Sequence, residues 1–248
     1  MKKLENQTLL YDEDCPLCRV YTSGFIKAGM MDENGKKPYC QISDEEQNFI
    51  DVKRASNEIA LVDFENKTVV YGIDSLLKVI GFSFPWIEKI GNLKPIKFFL
   101  KKLYSFISYN RKVIIPSKIK KEIKLQCVPD FNYKYRILYI LFAIIVSSLL
   151  VNQFNIKLRF LEIILCITSL VVIQTVLFFK FSGEIVLNYL GNFASSILFG
   201  SLLLIPFIVI KSILNFSEIA FQIYFYLILS IVIIDIYRRI QIIKFNIK

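Results

Sequence analysis

Cys15 and Cys18, three apart in the stretch YDEDCPLCRV (11–20), are the residues of this 248-residue chain whose spacing most directly suggests chemistry. They read as a redox couple, as half of a metal site, or as two unrelated thiols. On the first turn of a helix, positions i and i+3 share a face, within reach of a disulfide. A sulfur at the helix start also lies beside backbone N–H groups that lack partners and at the positive end of the helix dipole, which favours the thiolate. Cys15 is therefore expected to attack and Cys18 to resolve. Asp12, Glu13 and Asp14 put negative charge beside Cys15, which opposes a thiolate. The same acids can move protons during exchange, so Asp12 and Asp14 are candidate catalytic groups. Asp14 reads equally as the helix N-cap, and Asp12 as a group that bonds the turn.

The chain contains no histidine. That excludes Ser-His-Asp and Cys-His catalysis, mixed Cys/His zinc sites and an imidazole proton shuttle. Acid–base work falls to Asp, Glu, Cys, Tyr or Lys. An all-cysteine zinc site would have to join Cys15 and Cys18 to Cys40 and Cys127, which do not form a second CxxC. No metal or other cofactor is expected, and Cys40, on a predicted strand, reads as buried structure.

The elements that must carry the pair follow from local pattern. QTLLY (7–11) predicts a strand, and Pro16 suits the first turn of a helix that runs to near Gly29. Leu17, Val20, Tyr21 and Phe25 supply its helical spacing. A second strand is expected over 37–42, then a helix over 43–55 opened by the capping-box pair Ser43 and Glu46. Strands at 58–64 and 68–72 flank Glu65, Asn66 and Lys67 as a hairpin. Helices follow at 73–81 and, amphipathic and basic, at 95–110. The order βαβαββα predicts an α/β thioredoxin-like N-terminal domain over 1–115, with the CxxC at a strand-to-helix junction.

Beyond it the composition changes. The chain is 54% hydrophobic, with a mean hydropathy of +0.49. Residues 1–90 hold 11 Lys/Arg against 15 Asp/Glu, residues 91–136 hold 12 against 2, and residues 137–248 hold 8 against 4. A basic juxtamembrane linker (116–135) is followed by an all-α transmembrane domain (136–248) with four expected helices, at about 136–154, 160–180, 188–210 and 218–237. Small residues Gly191, Ala194, Ser195, Ser196 and Gly200 suit close helix packing. Asp235 reads as paired with Arg238 and Arg239, and Cys166 as a small apolar residue in the second span. Lys and Arg crowd the ends on one side, so both termini are expected in the cytoplasm, in a multi-pass protein of a bacterial inner membrane. The N-terminus, interrupted by Glu5, does not resemble a signal peptide. The basic excess beside a bilayer points to anionic lipid, about 1 kcal/mol per residue, rather than to nucleic acid.

Tyr11, Asp12, Asp14, Cys15, Pro16, Cys18 and Arg19 together form a D-x-D-C-P-x-C motif. Downstream, YGIDSLLKVIG (71–81) and LYSFISYNR (103–111) add Tyr104, Asn110 and Arg111. Over about residues 8–115 the chain resembles the DCC family of thiol-disulfide oxidoreductases. The resemblance implies a thioredoxin-like fold and exchange with a thiol or disulfide protein substrate. One departure from thioredoxin is the lack of any proline between Pro38 and Pro85, hence none before the strand at 58–64. Asn110 and Arg111 either approach the cysteines or close their helix. The alternatives are a membrane scaffold or assembly protein with structural or zinc-bound cysteines, and, more weakly, a small transporter or electron-transfer partner.

Overall fold

The computed structural model describes residues 2–118, 125–152, 182–213 and 218–247, which divide into two compact units, Met1–Asn132 and Tyr133–Lys248. The first unit contains β1 (Thr8–Tyr11), α1 (Pro16–Lys27), β2 (Lys36–Pro38), α2 (Val52–Asn57), β3 (Ala60–Asp63), β4 (Thr68–Tyr71), α3 (Ile73–Ser83), α4 (Pro85–Gly91) and α5 (Lys94–Ile114). The strands form a mixed sheet in the order β2-β1-β3-β4. β1 pairs parallel with β2, Leu9 opposite Lys36, as the α1 crossover requires. β3 runs antiparallel to both β1 and β4, with Leu10 opposite Ala60 and Leu61 opposite Val70.

Alternation along the strands builds two cores. Leu9 and Leu61 join Leu4, Met31, Ile59 and Val79, with Tyr21, Phe25 and Tyr104 packed against them. Leu10, Ala60 and Val62 face the other way, among Tyr39, Ile42, Ile50 and Ala55. Each fully buried large apolar side chain contributes about 1.5–3 kcal/mol.

Three local expectations change. Val20 is 70% exposed, because α1 turns Cys18 and Thr22 inward and packs Tyr21 and Phe25 on the core. The second strand is only Lys36–Pro38, and a 3-10 turn over Tyr39–Gln41 swings Tyr39 into the core, where its hydroxyl donates to the Val52 carbonyl at 2.8 Å. Cys40 is thus on a turn, not a strand. The Ser43–Glu46 box forms, with N–H bonds of 2.8 and 3.3 Å, but it opens a single 3-10 turn, Glu46–Asn48, rather than a helix to residue 55. Ile50 is drawn into the core, and Asp51 then caps the separate α2 through the Arg54 N–H at 2.9 Å. The hairpin forms as expected, its turn held by Asp63 accepting the Asn66 N–H and by Lys67 at φ 52°. Residues 125–132, within the expected linker, fold onto this unit: Leu125 and Cys127 pack on a core, and Asp130 exchanges two hydrogen bonds with Asn57, at 2.7 and 3.0 Å.

The second unit is helical: α6 (Tyr133–Asn152), α7 (Gly183–Leu203), α8 (Ile205–Ile213) and α9 (Glu218–Ile247). Two described stretches, Tyr133–Asn152 and Gly183–Phe207, are long and apolar enough to cross a membrane. The expected span 160–180, with Cys166, lies outside the described residues. Gly191, Ala194, Ser195, Ser196 and Gly200 are all buried, and a Cβ at Gly200 would collide with Val232 of α9. The Ser195 and Tyr139 hydroxyls lie 2.8 Å apart, tying α7 to α6.

Candidate functional site

The site begins where β1 ends. Asp12 is buried and folds the turn: its Oδ1 accepts the Asp14 N–H at 3.0 Å and its carbonyl accepts the Cys15 N–H at 3.2 Å. The Asp14 N–H is taken by that turn, and the N-cap of α1 is Cys15 itself, at φ −93° and ψ 111°, with Pro16 following. The expectation that Asp14 caps the helix is corrected by one residue. Sulfur thus stands where a capping oxygen commonly does, at the end of the helix whose N–H groups favour negative charge. Cys18, one turn on, lies 3.4 Å from Cys15. Both are free thiols and both are buried, Cys15 completely.

The two thiols are driven in opposite directions. The Cys15 pKa is lowered to about 6, chiefly by a hydrogen bond from the Cys18 thiol. Burial opposes that shift; the Cys18 backbone N–H and Arg111 assist it, and Asp12 works against it. Cys18, as donor to Cys15, is pushed up, and burial pushes it further. The Tyr21 hydroxyl is hydrogen-bonded to Cys18, with its own pKa raised by burial.

Arg111 arrives from α5 and is itself buried. It donates to the carbonyls of Ser56 at 2.7 Å and Asn57 at 3.3 Å, to Ser108 Oγ at 3.1 Å and to Cys127 Sγ at 3.4 Å. Its Nε stands 3.9 Å from Asp12 Oδ2, while Lys112 Nζ reaches the same oxygen at 2.5 Å. Burial opposes its charge, but Cys127, Cys18, Asp12 and Cys15 offset this and raise its pKa. Tyr104, Ser108 and Arg111 recur at four and three residues on one face of α5. Together they hold the chain entering β3: Tyr104 accepts the Ile59 N–H at 2.7 Å, and Ser108 donates to the Asn57 carbonyl. Asn110 is buried and donates to the Phe106 carbonyl of its own helix. The Arg111 charge acts on both Cys15 and Cys18.

The remaining thiols go elsewhere. Cys40 donates to Glu13 Oε2 at 3.5 Å, and burial raises its pKa. Cys127 contacts the Ser56 carbonyl at 3.7 Å, and burial pushes it up to about 12. Asp12, Glu13, Asp14, Cys40 and Cys127 line one small depression, yet among the described residues no three cysteines or carboxylates are placed to hold a metal ion. Sequence reasoning brought Cys15, Cys18 and Asp12 together but missed Lys112, Ser108 and the hydroxyl of Tyr21. The recurrence of Tyr104, Ser108 and Arg111 on one face of α5 was the signal available for Ser108.

Set against models of known protein families, against curated proteins and against solved structures, the chain finds no match.

Proposed function

We propose that the first unit is a thiol–disulfide oxidoreductase domain of the thioredoxin-like type. The observation that carries this reading is the opposed pair: Cys15 at the cap, held toward its thiolate, 3.4 Å from a Cys18 held protonated. That is the division of labour exchange requires. The Cys15 thiolate attacks a substrate disulfide, forming a mixed disulfide and expelling one substrate sulfur, which takes up a proton. Cys18 then loses its proton and attacks Cys15, forming the Cys15–Cys18 disulfide and releasing the second substrate sulfur, which is protonated in turn. The substrate gains the two electrons that the dithiol loses, and the reverse sequence oxidises a dithiol substrate. Asp12, buried beside Cys15, is the proton acceptor this reading assigns for Cys18, with Lys112 and Arg111 holding the carboxylate in place. Asp14 contributes through the turn.

The strand order β2-β1-β3-β4, with the cysteines between β1 and α1, supports the thioredoxin-like assignment and the kinship with the DCC family. Where thioredoxin has proline before its third core strand, this chain has Ser56 to Ile59, clamped by α5. The apolar helices of the second unit anchor the domain in a bilayer, and the distribution of Lys and Arg favours cytoplasmic termini.

The test is a Cys18→Ser variant of the full chain exposed to a disulfide peptide. A mixed disulfide should accumulate on Cys15, detected by mass spectrometry and cleared by reductant. If the variant stays unmodified while the wild-type pair also fails to cycle, the proposal is overturned.

A further inference from the structure

The outward faces of α4 and α5 carry large apolar side chains that stand largely in solvent among the described residues. On α4, Trp86 is 63% exposed and Ile90 follows one turn later. On α5, Phe98 and Phe99 are 66% and 64% exposed, and Leu103 and Ile107 continue the stripe at steps of four. Monomeric surfaces rarely leave so many large side chains in water without a partner for them. Lysines border the stripe. Lys89, Lys94 and Lys102 are exposed, and Lys102 Nζ lies over the Phe98 ring at 5.5 Å. An apolar face of Trp, Phe and Leu edged by lysine is the composition of a helix that lies in a membrane interface.

The chain's course brings a bilayer within reach. Asp130 is hydrogen-bonded to Asn57 of the first unit, and α6, long and apolar enough to cross a membrane, starts at Tyr133. Only Phe131 and Asn132 intervene. A protein partner would have to compete for this face with a lipid surface tethered by a two-residue leash.

We propose that the outward faces of α4 and α5 dock the first unit onto the surface of an anionic bilayer. The aromatic and aliphatic side chains enter the headgroup boundary, and Lys89, Lys94 and Lys102 meet lipid phosphates. The docking rests on the membrane anchoring proposed above and is independent of the thiol chemistry.

Trp86 is the single tryptophan of the chain and reports the contact directly. The full-length protein is reconstituted into phosphatidylcholine vesicles containing phosphatidylglycerol, with lipids brominated near the headgroup. Expected are a blue-shifted Trp86 emission, quenching of most of it by the brominated lipid, and a several-fold lower sensitivity to aqueous iodide than free tryptophan shows. Reversing Lys89, Lys94 and Lys102 to Glu, or replacing Phe98 and Phe99 by Ser, should restore iodide access; all five side chains are exposed and their loss leaves the cores intact. A Trp86 open to iodide in vesicles that carry the protein overturns the docking alone. Failure of the protein to float with vesicles overturns the anchoring as well. Protection from iodide without lipid quenching also overturns the docking, and assigns the face to a protein surface, such as a second copy of the chain.

Discussion

Both units bury an arginine beside an aspartate, and the two clusters behave differently. In the second unit Asp235 is met by Arg239 at 2.6 Å, Arg238 at 2.7 Å and Ser196 Oγ at 2.8 Å, and Arg239 reaches Asn192 Oδ1 at 3.3 Å. The opposite charges touch, and the neutral groups Ser196 and Asn192 join them. In the first unit Arg111 stands 3.9 Å from Asp12, which is paired instead with Lys112, and its close contacts are neutral carbonyls, a hydroxyl and a sulfur. A guanidinium fixed by uncharged groups keeps its field for whatever lies beside it. Here that is Cys127, Cys18, Asp12 and Cys15. The residue types are alike, but the first cluster adjoins thiols and the second pairs its opposite charges directly.

The sharpest way to break this contrast is to remove one sulfur and one carboxylate separately. Cys15→Ser should abolish disulfide exchange altogether, whereas Asp235→Ala should leave it at the wild-type rate, both assayed as reduction of a disulfide peptide. Asp235→Ala should instead cost stability, about 3 kcal/mol if Arg239 is left uncompensated, read from thermal unfolding in detergent. Next in size is the reach of Arg111. Arg111→Met should move the midpoint of Cys15 alkylation, followed against pH, upward from about 6, by less than Cys18→Ala does because the Cys18 hydrogen bond is the larger cause, while Arg239→Met leaves it in place. A third effect concerns stability. The folded-state pKa of Cys15 is lowered from 9.0 to about 6, so its contribution is complete above pH 9 and lost as pH falls through 6. Between those limits the reduced protein should gain stability as pH rises, and the Cys15–Cys18 disulfide form, in which that pair no longer titrates, should lack this gain; denaturant titrations of both forms test this. The smallest change is the surface baseline. Lys101, 3.6 Å from an Asp74 that Lys97 already pairs at 2.7 Å, should cost under about 0.5 kcal/mol when replaced by Met.

What could be read from the residues was local. A proline after Cys15, alternation in QTLLY and the Asn66 turn each specify backbone within a few residues, and the structure has those elements. The capping box over Ser43 and Glu46 shows the limit of such signals: its hydrogen bonds form, but the burial of Ile50 decides how far the helix extends. Val20 likewise fits a helical spacing while pointing to water, because the inward face of α1 is chosen by what packs on it. Arg111 is separated from Cys15 by nearly a hundred residues, and nothing in its neighbourhood distinguishes a helix-closing arginine from one that enters the site. Its role depends on where α5 meets the chain entering β3, which is a matter of packing. Asp12 bonds the turn as its type and place suggest, whereas the N-cap falls on Cys15, one residue after Asp14, because the Asp14 N–H is already bonded within that turn.

The complete burial of Cys15 has a kinetic meaning. A thiolate with no surface of its own reacts at a rate set by two factors, how often the atoms over it part and how fast sulfur then attacks. A lowered pKa ordinarily makes a cysteine reactive toward small electrophiles; here burial filters by access before nucleophilicity counts. Partners able to hold the cover open would be selected over those that are merely reactive, and selectivity would be written in the opening equilibrium rather than in the sulfur.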